Sequence, residues 1–388
     1  MKREVKSLVH LSVNPCNMCM PMGVVNAFYG IKKCVSILHG SQGCSTYIRR
    51  HMATHYNEPV DIASSSLTEH GTVYGGEENL EEGLRNLIKL YNPEVIGVGT
   101  TCLAETIGED ILRIIDKFQE ENECYRNITI IPVQSPGYGG SQYEGYIKTI
   151  YSIVSNVPMV ETKHDKINII TGMISPADTR WLKNIIKKFG LQAIILPDLS
   201  ENLDGGYQKN YDRLPSHGTS IDEIKTMAGA RYTIELGNVV DYYSPAKYLF
   251  ETYGIPYTRL NFPIGLRDTD AFLKLLTTLS GNEVPEEIKA ERNRYLDAMI
   301  DGHKYNGDGK AVIYGDPDFV VSTVRLCTEN GIMPVLAATG SKCDVSKLIE
   351  EDLIKVANRL FIENYRILSE VDFKKIEEAV TELHANIM

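Results

Sequence analysis

Short apolar runs rich in β-branched residues alternate with amphipathic segments along most of this chain, and turn residues separate them. CVSIL (Cys34–Leu38), VIGV (Val95–Val98), ITIIPV (Ile128–Val133), INIIT (Ile167–Thr171) and AIIL (Ala193–Leu196) read as buried strands. So do Tyr232–Leu236, Tyr257–Leu260, AVIY (Ala311–Tyr314) and Val335–Ala338. The segment Asn79–Tyr91 puts Leu80, Leu84, Leu87, Ile88 and Tyr91 on one helical face, with Asn79 and Glu82 placed to cap it and Pro93 to stop it. Strand and helix in repeated alternation predict an α/β fold of mainly parallel, doubly wound sheets. A chain of 388 residues exceeds one core. Three α/β units are expected, over 1–155, 156–305 and 306–388, the third short or truncated.

Local signals place the connections. Residues 1–13 read as an arm, Asn14-Pro15 as a turn, and Met22–Tyr29 as a short helix ended by Gly30. A tight loop follows Leu38 and a helix starts at Cys44. A further helix is expected over Ile107–Phe118, and SPGYGGS (Ser135–Ser141) is a Gly-rich loop. Three strand-to-loop passages would then line one end of the first sheet, where parallel sheets carry their functional groups.

Five of the eight cysteines lie in the first 102 residues. CMPMG (Cys19–Gly23), HGSQGCSTY (His39–Tyr47) and GTTCLAE (Gly99–Glu105) each carry one thiol. Soft thiolates are the donors that iron–sulfur clusters require. Helix starts after Cys44 and Cys102 would favour thiolate charge, and Gly40, Gly43 and Gly99 would let backbone approach a bulky inorganic group. Three ligands are too few for a four-iron cluster, so a partner chain is expected to supply the rest. The competing reading is that a cysteine at a strand end is simply a small buried hydrophobe, and local pattern does not choose between them. Cys16 and Cys19 form a C-x-x-C pair without a second one. Cys34, Cys124, Cys327 and Cys343 read as structural.

Other classes are disfavoured. The net charge is −11 and no Lys/Arg-rich tract occurs, so nucleic acid is not an expected ligand. No apolar run reaches membrane-spanning length and the N-terminus does not read as a signal peptide, so a cytoplasmic location is expected. SPGYGGS is not a dinucleotide fingerprint and no phosphate-binding P-loop sequence occurs. His39, His51, His55 and His70 read as surface or hydrogen-bonded core histidines. GDPD (Gly315–Asp318) reads as a helix-capping turn.

The segments NPCNMCMPMG, HGSQGCSTYIRRH, ASSSLTEHGTVYGGEENL, LYNPEVIGVGTTCLAETIGEDI and YGDPDFVV together resemble the β-type subunits of the nitrogenase component 1 superfamily, including the related cofactor-assembly scaffold subunit. The resemblance runs in order along nearly the whole chain and is densest over residues 14–112. It implies three Rossmann-like domains, an α-type partner subunit, a heterotetramer of two such pairs, and an ATP-dependent iron protein as electron donor. It also implies an iron–sulfur cluster between the subunits, [4Fe-4S] or a P-cluster-like [8Fe-7S]. The β-side ligands of that family match Cys19, Cys44 and Cys102, with Gly43 and Gly137 beside the cluster. Tyr47 matches an aromatic on the path to the α-type subunit's cofactor, and Tyr74 one on the iron protein's docking face. The sequence departs from the pattern at three points. Gly137 stands where nitrogenase carries a serine that helps ligate the oxidised P-cluster, Cys16 is an additional thiol, and the third unit is short. The scaffold subunits often lack the first and third cysteines, so their retention here points to a catalytic-type cluster. The missing serine and the STYIRRH helix point to the scaffold for iron–molybdenum cofactor assembly or to a nitrogenase-like reductase.

Overall fold

The computed structural model describes residues 15–207, 209, 212–360 and 364–388. The arm expected over 1–13 and the Asn14 half of the Asn14-Pro15 turn lie outside the described residues. Among the described residues eleven strands, β1 to β11, form three parallel sheets. The first contains β1 (Cys34–His39), β2 (Ile62–Ser64), β3 (Val95–Thr100) and β4 (Thr129–Val133), in the order β2-β1-β3-β4. The second contains β5 (Ile167–Ile170), β6 (Ala193–Leu196), β7 (Tyr232–Leu236) and β8 (Tyr257–Leu260), ordered β6-β5-β7-β8. The third contains β9 (Lys310–Tyr314), β10 (Met333–Ala338) and β11 (Arg366–Leu368), with β10 central. By compactness the chain divides in two: Cys19–Asn293, holding the first two sheets, and Arg294–Met388 together with the described residues up to Met18, holding the third.

Every strand expected from the sequence is present within two residues of its expected bounds. The two short edge strands β2 and β11 were not legible, because three-residue segments that are not fully buried leave no periodic signature. The two strand prolines follow the donor rule. Pro132 sits in β4, an edge strand, and Pro334 sits in central β10 where the register shifts.

Seven helices frame the first sheet: α1 (Met20–Tyr29), α2 (Gln42–Tyr56), α3 (Glu69–Tyr74), α4 (Glu77–Tyr91), α5 (Cys102–Ile107), α6 (Ile111–Glu121) and α7 (Gln142–Asn156). Two differ from expectation for physical reasons. The single helix expected over 107–118 is two, because Gly108 takes a left-handed conformation (φ 79°) and Asp110 caps α6 by accepting the Arg113 amide. Helix α4 begins at Glu77, not at an Asn79 cap. Its first-turn acid reaches across to α6, where Glu77 accepts from Arg113 and Lys117, each at 2.5 Å.

That crosslink carries an acid-stability prediction. Hydrogen bonds from Lys117 and then Arg113 hold the Glu77 carboxyl below the usual glutamate range. A depressed carboxylate contributes stability that is complete above its unfolded pKa and lost as pH falls through the folded one. Glu77→Gln should therefore flatten part of the acid limb of the stability–pH curve below the ordinary glutamate range. An unchanged acid limb would show that the pair is screened into irrelevance.

The largest core joins the first two sheets. Val24, Phe28, Ile131, Val133, Tyr146 and Ile150 pack with Ile170, Ile194, Leu196 and Leu249. Helices α1 and α7 cross within it, at two glycines. A Cβ on Gly23 would lie 1.8 Å from the Gln142 carbonyl oxygen, and one on Gly145 would lie 2.0 Å from that of Met20. The two backbones touch there, which fixes the start of α1 against the start of α7.

Among the described residues, no helix is long and apolar enough to cross a membrane.

Candidate functional site

The parallel register brings the carboxyl ends of the first sheet's strands together, His39 opposite Thr100 and Gly99 opposite Val133. The chain passes from β1 to β2 on one side and then crosses to β3 on the other. The crevice between β1 and β3 is thus the topological switch point, where open α/β sheets place their ligands. Cys44 and Cys102 both lie just beyond it.

Each of the three cysteines begins a helix. Cys44 is the third residue of α2, after its N-cap Ser41, and Cys102 is the first residue of α5, after its N-cap Thr101. Cys19 is itself the N-cap of α1. The sequence placed helix starts at the first two. It missed the third, because the α1 helix begins two residues before the expected Met22. No strand delivers Cys19. It is set by a β-bridge to Ser141, where the loop after β4 becomes α7, and Ser141 with Glu144 forms the capping box of that helix.

The loop after β4 also reaches the thiols. The Gly137 amide donates to Cys102 Sγ at 3.1 Å, and a Cβ on Gly137 would lie 3.2 Å from that sulfur and 3.4 Å from Cys19 Cβ. Gly137 therefore sits between Cys19 and Cys102. The loop is held at its root by Ser135 and Thr100. The Ser135 amide donates to Thr100 Oγ1 at 2.7 Å, and its hydroxyl to the Thr100 carbonyl at 2.8 Å.

The thiols feel one another. Burial raises the Cys19 pKa, the Met22 amide opposes this, and Cys44 and Cys102 add to the rise. Burial and then Cys102 raise that of Cys44, against the thiolate preference expected from its helix start. Three thiolates here repel until a cation takes up their charge. Cys19 and Cys102 are exposed and Cys44 half-buried, so the group opens outward from the sheet edge. Among the described residues no three His, Cys, Asp or Glu groups converge on one metal-ion position. Three soft thiols on an open rim are the kind of donor set an iron–sulfur cluster takes.

The glycines divide. Around Gly43 a Cβ would meet nothing closer than Ser41 Oγ at 4.0 Å, which leaves the space the sequence reading wanted. Gly40 and Gly99 serve the protein instead. Gly40 (φ 157°) lies against Thr101, where a Cβ would come within 1.8 Å of Oγ1, and Gly99 packs on Leu38 and Val24. Cys16 belongs with the third sheet, its thiol donating to the Val371 carbonyl at 2.9 Å. Burial pushes the Cys327 thiol up to about 11, and Cys34 and Cys343 are buried, as structural cysteines should be.

Tyr47 follows Cys44 by one turn on α2, is 53% exposed and packs against His51 with ring centroids 4.2 Å apart and the rings tilted by 58°. Tyr74 closes α3, is 77% exposed and stacks on His70 at 4.7 Å. The sequence reading did not assign a role to His39, Gly76 or Glu109. His39 is wholly buried at the end of β1, with Nδ1 2.9 Å from Ser65 Oγ and Nε2 3.5 Å from Glu109. Glu109 also accepts the Gly76 amide at 2.6 Å. These residues are separated by about thirty positions each, and no local signal links them.

Comparison with known proteins identifies the family and the fold. Residues 19–388 match the family model described as nitrogenase component 1 type oxidoreductase. The nitrogenase molybdenum-iron protein beta chain of Clostridium pasteurianum is 34% identical over 340 residues, 87% of this chain and 74% of that protein. The nitrogenase vanadium-iron protein beta chain of Trichormus variabilis is 36% identical over 338 residues, 84% of this chain and 72% of that protein. The nitrogenase iron-molybdenum cofactor biosynthesis protein NifN of a Nostoc species is 30% identical over 347 residues, 89% of this chain and 77% of that protein. A solved structure titled nitrogenase Cp1 at pH 6.5 superposes with a TM-score of 0.91 at 31% identity, covering 99% of this chain and 83% of that one. The fold, the sheet edge and these relatives converge: the chain belongs to the nitrogenase component 1 type oxidoreductase family, alongside its β chains and NifN.

Proposed function

We propose that this chain is the β-type subunit of a nitrogenase-like component 1 complex, and that Cys19, Cys44 and Cys102 hold an iron–sulfur cluster completed by an α-type partner. One observation carries the reading: three mutually interacting thiols begin three helices around the switch point of the first sheet, facing outward. A bound cluster supplies a reversible store for single electrons. The chain's own part is to present three thiolates, to offer the Gly137 amide to the Cys102 sulfur, and to leave the Gly43 side open. Electrons would enter from an ATP-dependent iron protein docked over the Tyr74 face and leave past Tyr47 toward the partner. Two such pairs would form a heterotetramer, and no nucleic acid or membrane takes part.

The test is anaerobic purification with the partner subunit. The complex should be brown and contain iron and acid-labile sulfide, and colourless, iron-free complex would end the reading. Tyr74→Ala should leave the iron content unchanged while weakening electron transfer from the iron protein about tenfold, the scale of losing one aromatic anchor at an interface. Loss of iron in that variant would make Tyr74 a structural residue.

The alternative is a scaffold subunit on which the iron–molybdenum cofactor is assembled. Gly137 favours it, because that residue offers the cluster an amide and no side-chain ligand. Iron-containing complex that accepts no electrons from the iron protein, but binds and releases a cofactor precursor, would establish this role.

A further inference from the structure

Two halves of the proposed site meet at one buried side chain. The main chain of His39 belongs to the thiol edge. Its carbonyl accepts the Thr101 amide at 3.0 Å and the Thr101 hydroxyl at 3.1 Å, and Thr101 is the N-cap from which Cys102 begins α5. The His39 ring belongs to the other side. It lies under the joint between α3 and α4, where a Cβ on Gly76 would come within 2.9 Å of Cε1. Ser65 holds Nδ1 from behind at 2.9 Å and also accepts the Gly40 amide. The α3–α4 joint is tied to the same place by Glu109, which takes the Gly76 amide on one oxygen and faces His39 Nε2 with the other.

The remaining gap is informative. At 3.5 Å the Nε2–carboxylate contact is long for a hydrogen bond, and Glu109 is the group Nε2 faces. With the Ser65 hydroxyl donating to Nδ1, Nε2 carries the ring proton and faces Glu109, so a small inward movement of the α3–α4 joint would shorten that contact into a hydrogen bond. That joint lies one residue beyond Val73 and Tyr74, both of which point to solvent.

We propose that His39 is a positioning residue that couples the α3 face to the Cys102 loop, with Glu109 as its counterpart. Pressure on the α3 face closes the Glu109–His39 gap, and the His39 carbonyl passes the shift to Thr101 and the start of α5. The inference rests on the reading that an iron protein docks over Tyr74.

The test uses the iron-loaded complex with its α-type partner, with and without the iron protein, read by amide hydrogen exchange. In the wild type, docking should slow exchange at least threefold both in 69–76 and in 101–107. In Glu109→Gln, whose amide oxygen still accepts the Gly76 amide but carries no charge, protection of 69–76 should persist and the response of 101–107 should be lost. His39→Gln should behave alike. Undiminished protection of 101–107 in both variants overturns the inference, since the iron protein would then cover that loop directly. A wild type that protects 69–76 alone overturns it as well. A wild type that protects neither segment overturns the docking reading, and this coupling with it.

Discussion

Gly145→Ala should destabilise the chain by about 3 kcal/mol, the upper part of the range for overpacked cores. A Cβ at position 145 would lie 2.0 Å from the Met20 carbonyl oxygen and 2.9 Å from its carbon. Both obstacles are backbone, so no side-chain rotamer relieves them. Helix α7 must part from α1 by more than an ångström, across the core that joins the first two sheets. Gly23→Ala meets the Gln142 carbonyl and the Tyr146 amide from the other side and should cost a similar amount. Gly206→Ala is the control. Nothing lies within 4 Å of its Cβ position, and its effect should stay within about 0.5 kcal/mol. Denaturant midpoints of the three variants decide the matter, and comparable midpoints for Gly145→Ala and Gly206→Ala would refute the close crossing. The consequence reaches the site. Cys19 caps α1, and its bridge partner Ser141 caps α7, so parting the helices also displaces one of the three thiols.

What the sequence revealed and what it hid divide along one line. Periodicity and turn residues are local, and they located every long strand and the strand-to-loop passages that carry Cys44 and Cys102. A glycine's local context did not say what it faces. Gly40 and Gly99 looked like room for an inorganic group, yet they are filled by Thr101, Leu38 and Val24, while Gly43 is open. Capping went the same way. Asn79 had the right chemistry for an N-cap, but Glu77, two residues earlier, finds Arg113 and Lys117 on α6, so the helix starts sooner. Cys16 and Cys19 are neighbours in a C-x-x-C, but Cys19 bridges to Ser141 and Cys16 bonds to Val371, each a partner more than a hundred residues away. The grouping of Cys19, Cys44 and Cys102 was proposed from their loops and matched by the resemblance, and its physical basis is tertiary: parallel register for two of them, and the α1–α7 crossing for the third.

Cys44→Ala should cost the partnered complex its cluster, with iron retention weakened at least about tenfold, since loss even of an outer-shell partner weakens metal sites by that much. The expectation follows from how the three thiols are held. Cys19 and Cys102 are both exposed and lie on either side of Gly137, whereas Cys44 is half-buried in the first turn of a fifteen-residue helix and interacts with both. Removing it leaves the Cys19–Gly137–Cys102 contacts intact and takes away one of the three thiols, so any residual iron should carry an altered spectroscopic signature and be lost to a chelator. Cys327→Ala is the comparison. That thiol lies on the helix Pro317–Glu329 and is raised by burial alone, without a neighbouring thiol to share charge. Its loss should leave iron unchanged, at a cost to stability no greater than that of a small buried side chain. Cys16→Ala should also leave iron unchanged, because its sulfur is already engaged by the Val371 carbonyl. Equal iron in the Cys44 and Cys327 variants would mean that the three thiols at the sheet edge are structural after all. Iron lost with Cys16 would mean that the ligand set includes a residue whose hydrogen bond must first break.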